Sequence, residues 1–360
     1  MSEIKRENID LSEVLCAFWG DAPVTCEPYG NGHINDTFLV SADKRYILQR
    51  MNTSIFRHPD KLMENILRVT GHIRSKTAEL GGDVARCTLT VVRTRDNATF
   101  AEDGKGGCWR LYDFVEGTVA KQKVEDPKDF YTCAKAFGRF QGMLADFPAE
   151  QLFESIADFH NTPQRYANLM AAVNADKCGR LESVRAEVEF ATAREDFCKT
   201  LESARADGSL PLRVTHNDTK LNNILFDEIT GEPVCVIDLD TVMPGYSVND
   251  FGDSIRFGAN TAAEDETDLS KVSLDLELYR AYAEGFLKGA EGRLTDTEID
   301  LMPIGARMMT LECGLRFLTD YLEGDVYFRT SRPRHNLDRC RCQFALVADM
   351  EAKEEEMKLR

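Results

Sequence analysis

The stretch that most narrows what this chain can fold into is Val214-Thr-His-Asn-Asp-Thr-Lys-Leu-Asn-Asn-Ile-Leu-Phe226, followed after a turn by Val234-Cys-Val-Ile-Asp-Leu-Asp240. Each half pairs a short apolar strand with a polar corner. The first corner offers His216, Asp218 and Asn223; the second offers Asp238 and Asp240. The turn Asp227-Glu-Ile-Thr-Gly231 folds the halves together as a hairpin-like unit. A carboxylate, an amide and a second carboxylate then gather at one sheet edge. Phosphoryl transfer needs such a set: one group to orient a hydroxyl and two oxygen donors to hold magnesium.

The elements before and after this unit differ in kind. Upstream, strand patterns cover 24–29, 37–40, 45–50, 88–93 and 108–115, with helical periodicity over 11–18 and 59–77. Hairpin-length connections predict an antiparallel sheet with a helix packed on it. From Gly117 onward the texture is helical, over 129–145, 165–174, 181–204, 274–288, 295–322 and from 337, with a further helix led in by 244–256. The capping box Thr295-Asp-Thr-Glu298 opens the longest of these and Gly324 closes it. The acidic segment 259–268 reads as mobile and the tail 351–360 as frayed. The expected class is α+β, with a sheet-bearing lobe over 1–115 and a helical lobe over 116–360.

Charge restricts the partners. Lys and Arg total 44 against 61 Asp and Glu, a formal charge of −17. That disfavours nucleic acid and anionic membrane surfaces. The first residues lack an apolar signal core, and no apolar run is long enough to span a bilayer. Eleven scattered cysteines read as reduced thiols of a cytoplasmic protein. Cys340-Arg-Cys342 is the one close pair; with no second Cys/His pair beside it, it reads as ordinary thiols rather than a zinc site.

Together these segments resemble the kinase-like superfamily of aminoglycoside and choline phosphotransferases. His216-Asn-Asp218 with Asn223 five positions after the aspartate matches its catalytic loop. Ile237-Asp238-Leu-Asp240 matches its metal-binding segment, and Gly245 followed by Asp250 its buried-aspartate segment. Within that superfamily the wording is most similar to N-acetylhexosamine 1-kinases. The similar pieces are Gly30-Asn-Gly-His-Ile-Asn-Asp-Thr37, Tyr46-Ile-Leu-Gln-Arg50, His216-Asn-Asp-Thr-Lys220, Asp238-Leu-Asp-Thr-Val-Met-Pro-Gly245 and Leu315-Arg-Phe-Leu-Thr-Asp-Tyr-Leu322. The resemblance implies a two-lobed protein-kinase-like fold, ATP and Mg2+ as cofactors, and phosphate delivered to the anomeric hydroxyl of GlcNAc or GalNAc.

It also distributes roles. Asp218 would be the base and touch the sugar; Asn223 and Asp238 would hold magnesium, with Asp240 assisting or standing behind them. The hairpin residues Gly30, Asn31, Gly32 and His33 would approach phosphate through backbone N–H groups, although a plain glycine hairpin explains the same motif. The strand ending at Asp113–Val115 would read adenine through its backbone. His216 reads first as a structural residue and Asp250 as a buried anchor. Lys220 is either a γ-phosphate contact or a surface lysine. Arg316 either sits in a surface ion-pair ladder with Glu312 and Asp320 or reaches the sugar, with Tyr327 stacking on the ring and Phe328 competing for that place.

One departure stands out. The superfamily often carries a phosphate-binding lysine on its third strand, paired with a helix glutamate. The matching position here is Gln49, and strand alternation turns Arg50 to the opposite face. Glu64 is then a weak partner. The runner-up readings are a kinase of the same fold for another sugar or an amino alcohol, and a non-catalytic nucleotide-binding regulator.

Overall fold

A computed structural model describes residues 9–30, 34–121 and 126–360. The chain divides into two compact units. One contains Met1–Ala120, Gln151–Ile156 and Leu225–Met243; the other contains Lys121–Glu150, Ala157–Ile224 and Pro244–Arg360.

In the first unit, helix α1 (Ser12–Trp19) precedes strands β1 (Thr25–Pro28), β2 (Asp36–Ser41) and β3 (Arg45–Met51). Helix α2 (Pro59–Glu79) follows, then β4 (Val91–Val92), β5 (Ala101–Glu102), β6 (Cys108–Asp113) and β7 (Thr118–Ala120). The six-stranded sheet runs β1-β2-β3-β6-β4, with β5 also on β6, and its pairings are antiparallel. Phe38 lies opposite Leu48 and Leu48 opposite Leu111. Alternation therefore stacks one apolar row across three strands, and Val14 and Phe18 of α1 close over it. In α2, Leu62, Ile66, Val69 and Ile73 are buried at the spacing expected from the sequence. The strand expected over 88–93 shortens to β4; ahead of it the Leu89 carbonyl and the Thr90 hydroxyl accept from Arg74.

Helices α3 (Pro127–Met143), α4 (Thr162–Ala175), α5 (Arg185–Thr192) and α6 (Thr200–Ala206) lead to strand β8 (Arg213–Thr215). Strands β9 (Ile224–Asp227), β10 (Pro233–Val236) and β11 (Met243–Gly245) follow. β9 and β10 form the expected hairpin, joined by β7 into a three-stranded sheet, whereas β8 pairs with β11. The hairpin turn hangs on Asp227. Its Oδ1 accepts from the Ile229 and Thr230 N–H groups and its Oδ2 from Arg86. The Thr230 N–H, then Arg86, hold this carboxyl down at about 2 from an ordinary 3.8. A depressed acid contributes stability above its unfolded pKa and loses it as the pH falls through the folded value. Asp227→Asn is therefore expected to flatten the loss of thermal stability between about pH 4 and pH 2. Parallel melting-temperature curves for variant and parent over that window would refute this.

The second unit ends in α7 (Ser247–Gly258), α8 (Leu276–Ala290), α9 (Asp296–Glu323), α10 (His335–Ala352) and α11 (Glu354–Met357). α3 packs on α8, and α9 packs on both α7 and α10. The α7–α9 crossing needs glycine on both sides: a Cβ at Gly252 would stand 2.3 Å from the Gly305 carbonyl oxygen, and one at Gly305 2.3 Å from that of Val248.

Three expectations change here. The single helix expected over 181–204 breaks after α5. The Phe190 carbonyl, which a continuing helix would offer to the Arg194 N–H, accepts from the Arg194 guanidinium instead, and that group also pairs with Glu351. The acidic segment 259–268 is tied down rather than loose: Glu264 pairs with Arg256, and Asp265 with Arg332 and His335. The tail is docked as well, with Met357 buried and its carbonyl accepting from the Tyr279 hydroxyl. Among the described residues no helix is long and apolar enough to cross a membrane.

Candidate active site

The loop after β8 is held from beneath. Asp250, fully buried near the start of α7, accepts from the N–H groups of His216 (2.8 Å) and Asn217 (2.7 Å) and from Gln141 (2.7 Å). Burial pushes the Asp250 carboxyl up and outweighs the nearby His216 and those N–H groups. The Thr219 hydroxyl donates to the Asp250 carbonyl, and the Ser254 hydroxyl to the Thr219 carbonyl. Asn217 takes a left-handed backbone, φ 63°, which asparagine tolerates. His216 is buried between Phe137 and Phe140, and its Nδ1 accepts the Asp218 N–H at 3.3 Å. It supports the loop, as its first reading held.

Asp218 emerges half-buried from this frame. Its Oδ2 accepts from Asn223 Nδ2 at 3.0 Å, and the same nitrogen donates to its carbonyl at 2.8 Å. Lys220 Nζ stands 2.5 Å from Oδ1. Because buried Asn223 spends its nitrogen on Asp218, its amide oxygen is left as a hard donor.

Arg316 and Tyr327 belong to the same unit. Neither acidic neighbour of Arg316 pairs with it, which removes the ladder reading. Asp320 accepts from the N–H groups of Val326, Tyr327 and Phe328 and from Asn336. Buried Glu312 accepts from Thr162 at 2.7 Å and sits 3.0 Å from His160 Nδ1. Burial raises the Glu312 carboxyl, but His160, Thr162 and Arg316 bring it below its ordinary value. By binding the 326–328 backbone, Asp320 sets Tyr327 and Phe328 beside Arg316, whose guanidinium lies 5.9 and 5.3 Å from their ring centres. Arg165 is lowered by burial and then by the charge of Arg316. The buried atoms Arg165 Nε and His160 Nε2 have no hydrogen-bond partner among the described residues. Asp253 pairs with Arg256 at 3.0 Å; burial raises its carboxyl, but Arg256, then Lys220 and His160, more than offset that.

In the first unit, Gly30 has φ 67°, while Asn31, Gly32 and His33 lie outside the described residues. The N–H groups of Asp113 and Phe114 are committed to the Thr90 and Arg45 carbonyls. The Val115 carbonyl accepts from the Thr118 hydroxyl, and the Val115 N–H has no hydrogen bond among the described residues. Glu64 is partly exposed and pairs with Arg68 and Lys61, not with β3. Asp238 takes a left-handed backbone, φ 59° and ψ 58°, at the head of a 3-10 turn, Leu239–Thr241.

Gln49 bonds Thr37 and accepts twice from Arg110, its cross-strand partner on β6. Arg110 is buried and ion-paired with Asp240, whose other oxygen accepts from Asn35 Nδ2 at 2.7 Å. Burial opposes the Arg110 charge, but Asp240, Tyr112 and Asp238 outweigh it and hold its pKa up. Both carboxylate oxygens of Asp240 are therefore occupied. The sequence reading missed Arg110, Asn35, His160, Arg165 and Asp253. Only Arg110 carried a signal: an arginine inside the apolar strand Cys108-Trp-Arg-Leu-Tyr112 demands a buried partner.

Among the described residues no three His, Cys, Asp or Glu gather as a ready-made metal cage. Oxygen donors in ones and twos instead suit magnesium, which keeps waters and takes phosphate oxygens.

A family model described as "Phosphotransferase enzyme family" matches residues 25–288, most of the chain. Solved structures agree in fold. A microcompartment-associated aminopropanol kinase aligns at 16% identity with a TM-score of 0.64, covering 96% of this chain and 97% of its own. An aminoglycoside phosphotransferase from Alicyclobacillus acidocaldarius aligns at 15% identity and 0.59, covering 95% of each chain. A choline kinase from Cryptosporidium parvum aligns at 12% and 0.53, covering 98% of this chain and 94% of its own.

Proposed function

This chain belongs to the phosphotransferase enzyme family, and from that premise we propose that it transfers the γ-phosphoryl group of ATP to the anomeric hydroxyl of an N-acetylhexosamine. The observation that carries the sugar half is the cationic, hydrogen-bonding character of the Arg316 cluster. The Arg316 charge that lowers Arg165, with Glu312 and Asp320 committed elsewhere, disfavours a cationic amino alcohol. The same groups suit the hydroxyls and acetamide of a sugar. Arg316 and Arg165 would donate to substrate oxygens. In a neutral His160 whose Nδ1–H goes to Glu312, Nε2 would accept from a hydroxyl. The exposed ring of Tyr327 would stack on the sugar face.

In the reaction, Asp218 would accept a hydrogen bond from the anomeric hydroxyl and take its proton. That hydroxyl is more acidic than an ordinary alcohol, so a plain carboxylate suffices. Asn223 and Asp238 would hold a magnesium ion, which when bound neutralises phosphate charge. The protein otherwise contributes position and electrostatics. Gly30, Asn31, Gly32 and His33 would face the phosphates, and the Val115 N–H the adenine edge.

The test is ADP release across a panel of hexosamines, hexoses and amino alcohols, with the phosphate position read by NMR. GlcNAc or GalNAc 1-phosphate is expected. Arg316→Gln is expected to raise the KM for the hexosamine by roughly 10–100-fold, as loss of a charge-assisted hydrogen bond of about 1.5–3 kcal/mol requires, while the KM for ATP stays near the parent value. Turnover of choline or ethanolamine with no hexosamine turnover would overturn the sugar assignment. ATP binding without turnover of any acceptor would point to a regulator.

A further inference from the structure

The first unit contains a buried charge network for which the reading above has no role. Arg110, Gln49, Asn35 and Asp240 come from β6, β3, the residue before β2 and the 3-10 turn after Asp238. Arg110 spends three guanidinium nitrogens here: one on Asp240 and two on the Gln49 side-chain oxygen at 3.0 and 2.8 Å. Asn35 spans the other way, donating to Asp240 at 2.7 Å and accepting the Asn52 N–H at 3.1 Å. Ser155 adds a bond to the Asp240 carbonyl at 2.9 Å. A backbone in the left-handed region at a non-glycine residue persists only where its surroundings over-determine it, and Asp238 stands two residues from all these bonds. Arg110 and Asp240 are 1% and 4% exposed at their side chains. A buried ion pair is weak evidence for stability by itself and is better accounted for by what it positions.

We propose that Arg110 is a positioning residue: by gripping Asp240 it sets the orientation of the Asp238 carboxylate and ties that segment to the stem of the β1–β2 hairpin, so that cation binding and phosphate binding depend on one another. Gln49 aims the guanidinium. The inference rests on the nucleotide-binding reading above, and on no assumption about the acceptor. A structural ion pair alone would fix stability; a positioning pair would also fix how much magnesium strengthens ATP binding.

The experiment compares the parent, Arg110→Gln, Asp240→Asn and the double variant Arg110→Gln/Asp240→Asn. Stability is measured by chemical denaturation, and ATP affinity by calorimetry with and without Mg2+. Each single variant leaves an uncompensated group and is expected to lose stability. The double variant replaces two charges by two amides and is expected to recover most of it. Its Mg2+-dependent gain in ATP affinity is nevertheless expected to fall about tenfold, the magnitude typical of losing a group that orients a metal ligand. Adding Gln49→Lys to the double variant, which returns a cation to the neighbouring strand, is expected to restore part of that gain. A double variant that folds and keeps the full Mg2+-dependent gain would overturn the proposal. If the parent itself shows no Mg2+-dependent ATP binding, the nucleotide reading fails and this inference with it.

Discussion

Asp218→Asn is expected to lower kcat by roughly 10²–10⁴-fold, the range for removing a positioned general base, while ATP binding persists. The substitution is close to isosteric, and the loop does not depend on the Asp218 carboxylate for its shape. Asp250 holds it through the His216 and Asn217 N–H groups, and Thr219 and Ser254 brace it further. Asn223 can still donate to the new amide oxygen and to the backbone carbonyl. What disappears is the proton acceptor and the negative charge that Lys220 faces at 2.5 Å. Stopped and steady-state ADP-release assays would measure the first effect, and calorimetry with ATP the second. Residual activity within tenfold of the parent would remove Asp218 from the role of base. Loss of ATP binding alongside activity would mean that the loop had collapsed.

The largest expected effect on stability is at the start of α9. Glu298→Ala should cost about 3–5 kcal/mol, the range for stripping one partner from a buried ion pair. Glu298 is fully buried and closes the capping box with Thr295, accepting its N–H at 2.8 Å. It also accepts from Arg213 at 2.9 and 2.6 Å and from the Ser247 hydroxyl at 2.7 Å. Removing it strands a largely buried guanidinium beside β8. Thr295→Ala removes only the cap and should cost about 1 kcal/mol. Urea denaturation of both variants distinguishes the two mechanisms; equal losses would mean that the Arg213 pair contributes nothing. Burial raises the Glu298 carboxyl, but Arg213, the Thr295 N–H and Ser247 bring it below its ordinary value. Its contribution is therefore present above the unfolded pKa and fades in acid, so parent and Glu298→Ala should converge as the pH falls below about 4.

Comparing the chain's readings with its structure separates two kinds of feature. Local ones were legible. The α2 stripe, the β9–β10 turn, the capping box and the opposite faces of Gln49 and Arg50 rest on periods of 3.6 and 2 or on partners within a few residues. The Asp218–Asn223 contact is local in the same way, its partners lying five residues apart. The reading of 181–204 failed for a local cause with a distant origin: Arg194 was drawn to Glu351 and turned its guanidinium onto the Phe190 carbonyl. The acidic segment looked loose for the same reason, since its arginine partners lie beyond its own sequence window.

The sequence by itself determined the α+β order of elements and the positions of the caps and turns. Tertiary structure alone decided which buried charges meet. Arg110 finds Asp240 across 130 residues and His160 finds Glu312 across 152. Such pairs have no sequence period, because an ion leaves water only where packing happens to set a counter-charge beside it. That is why an arginine on β6, and not Arg50 on β3, is the buried cation paired with Asp240.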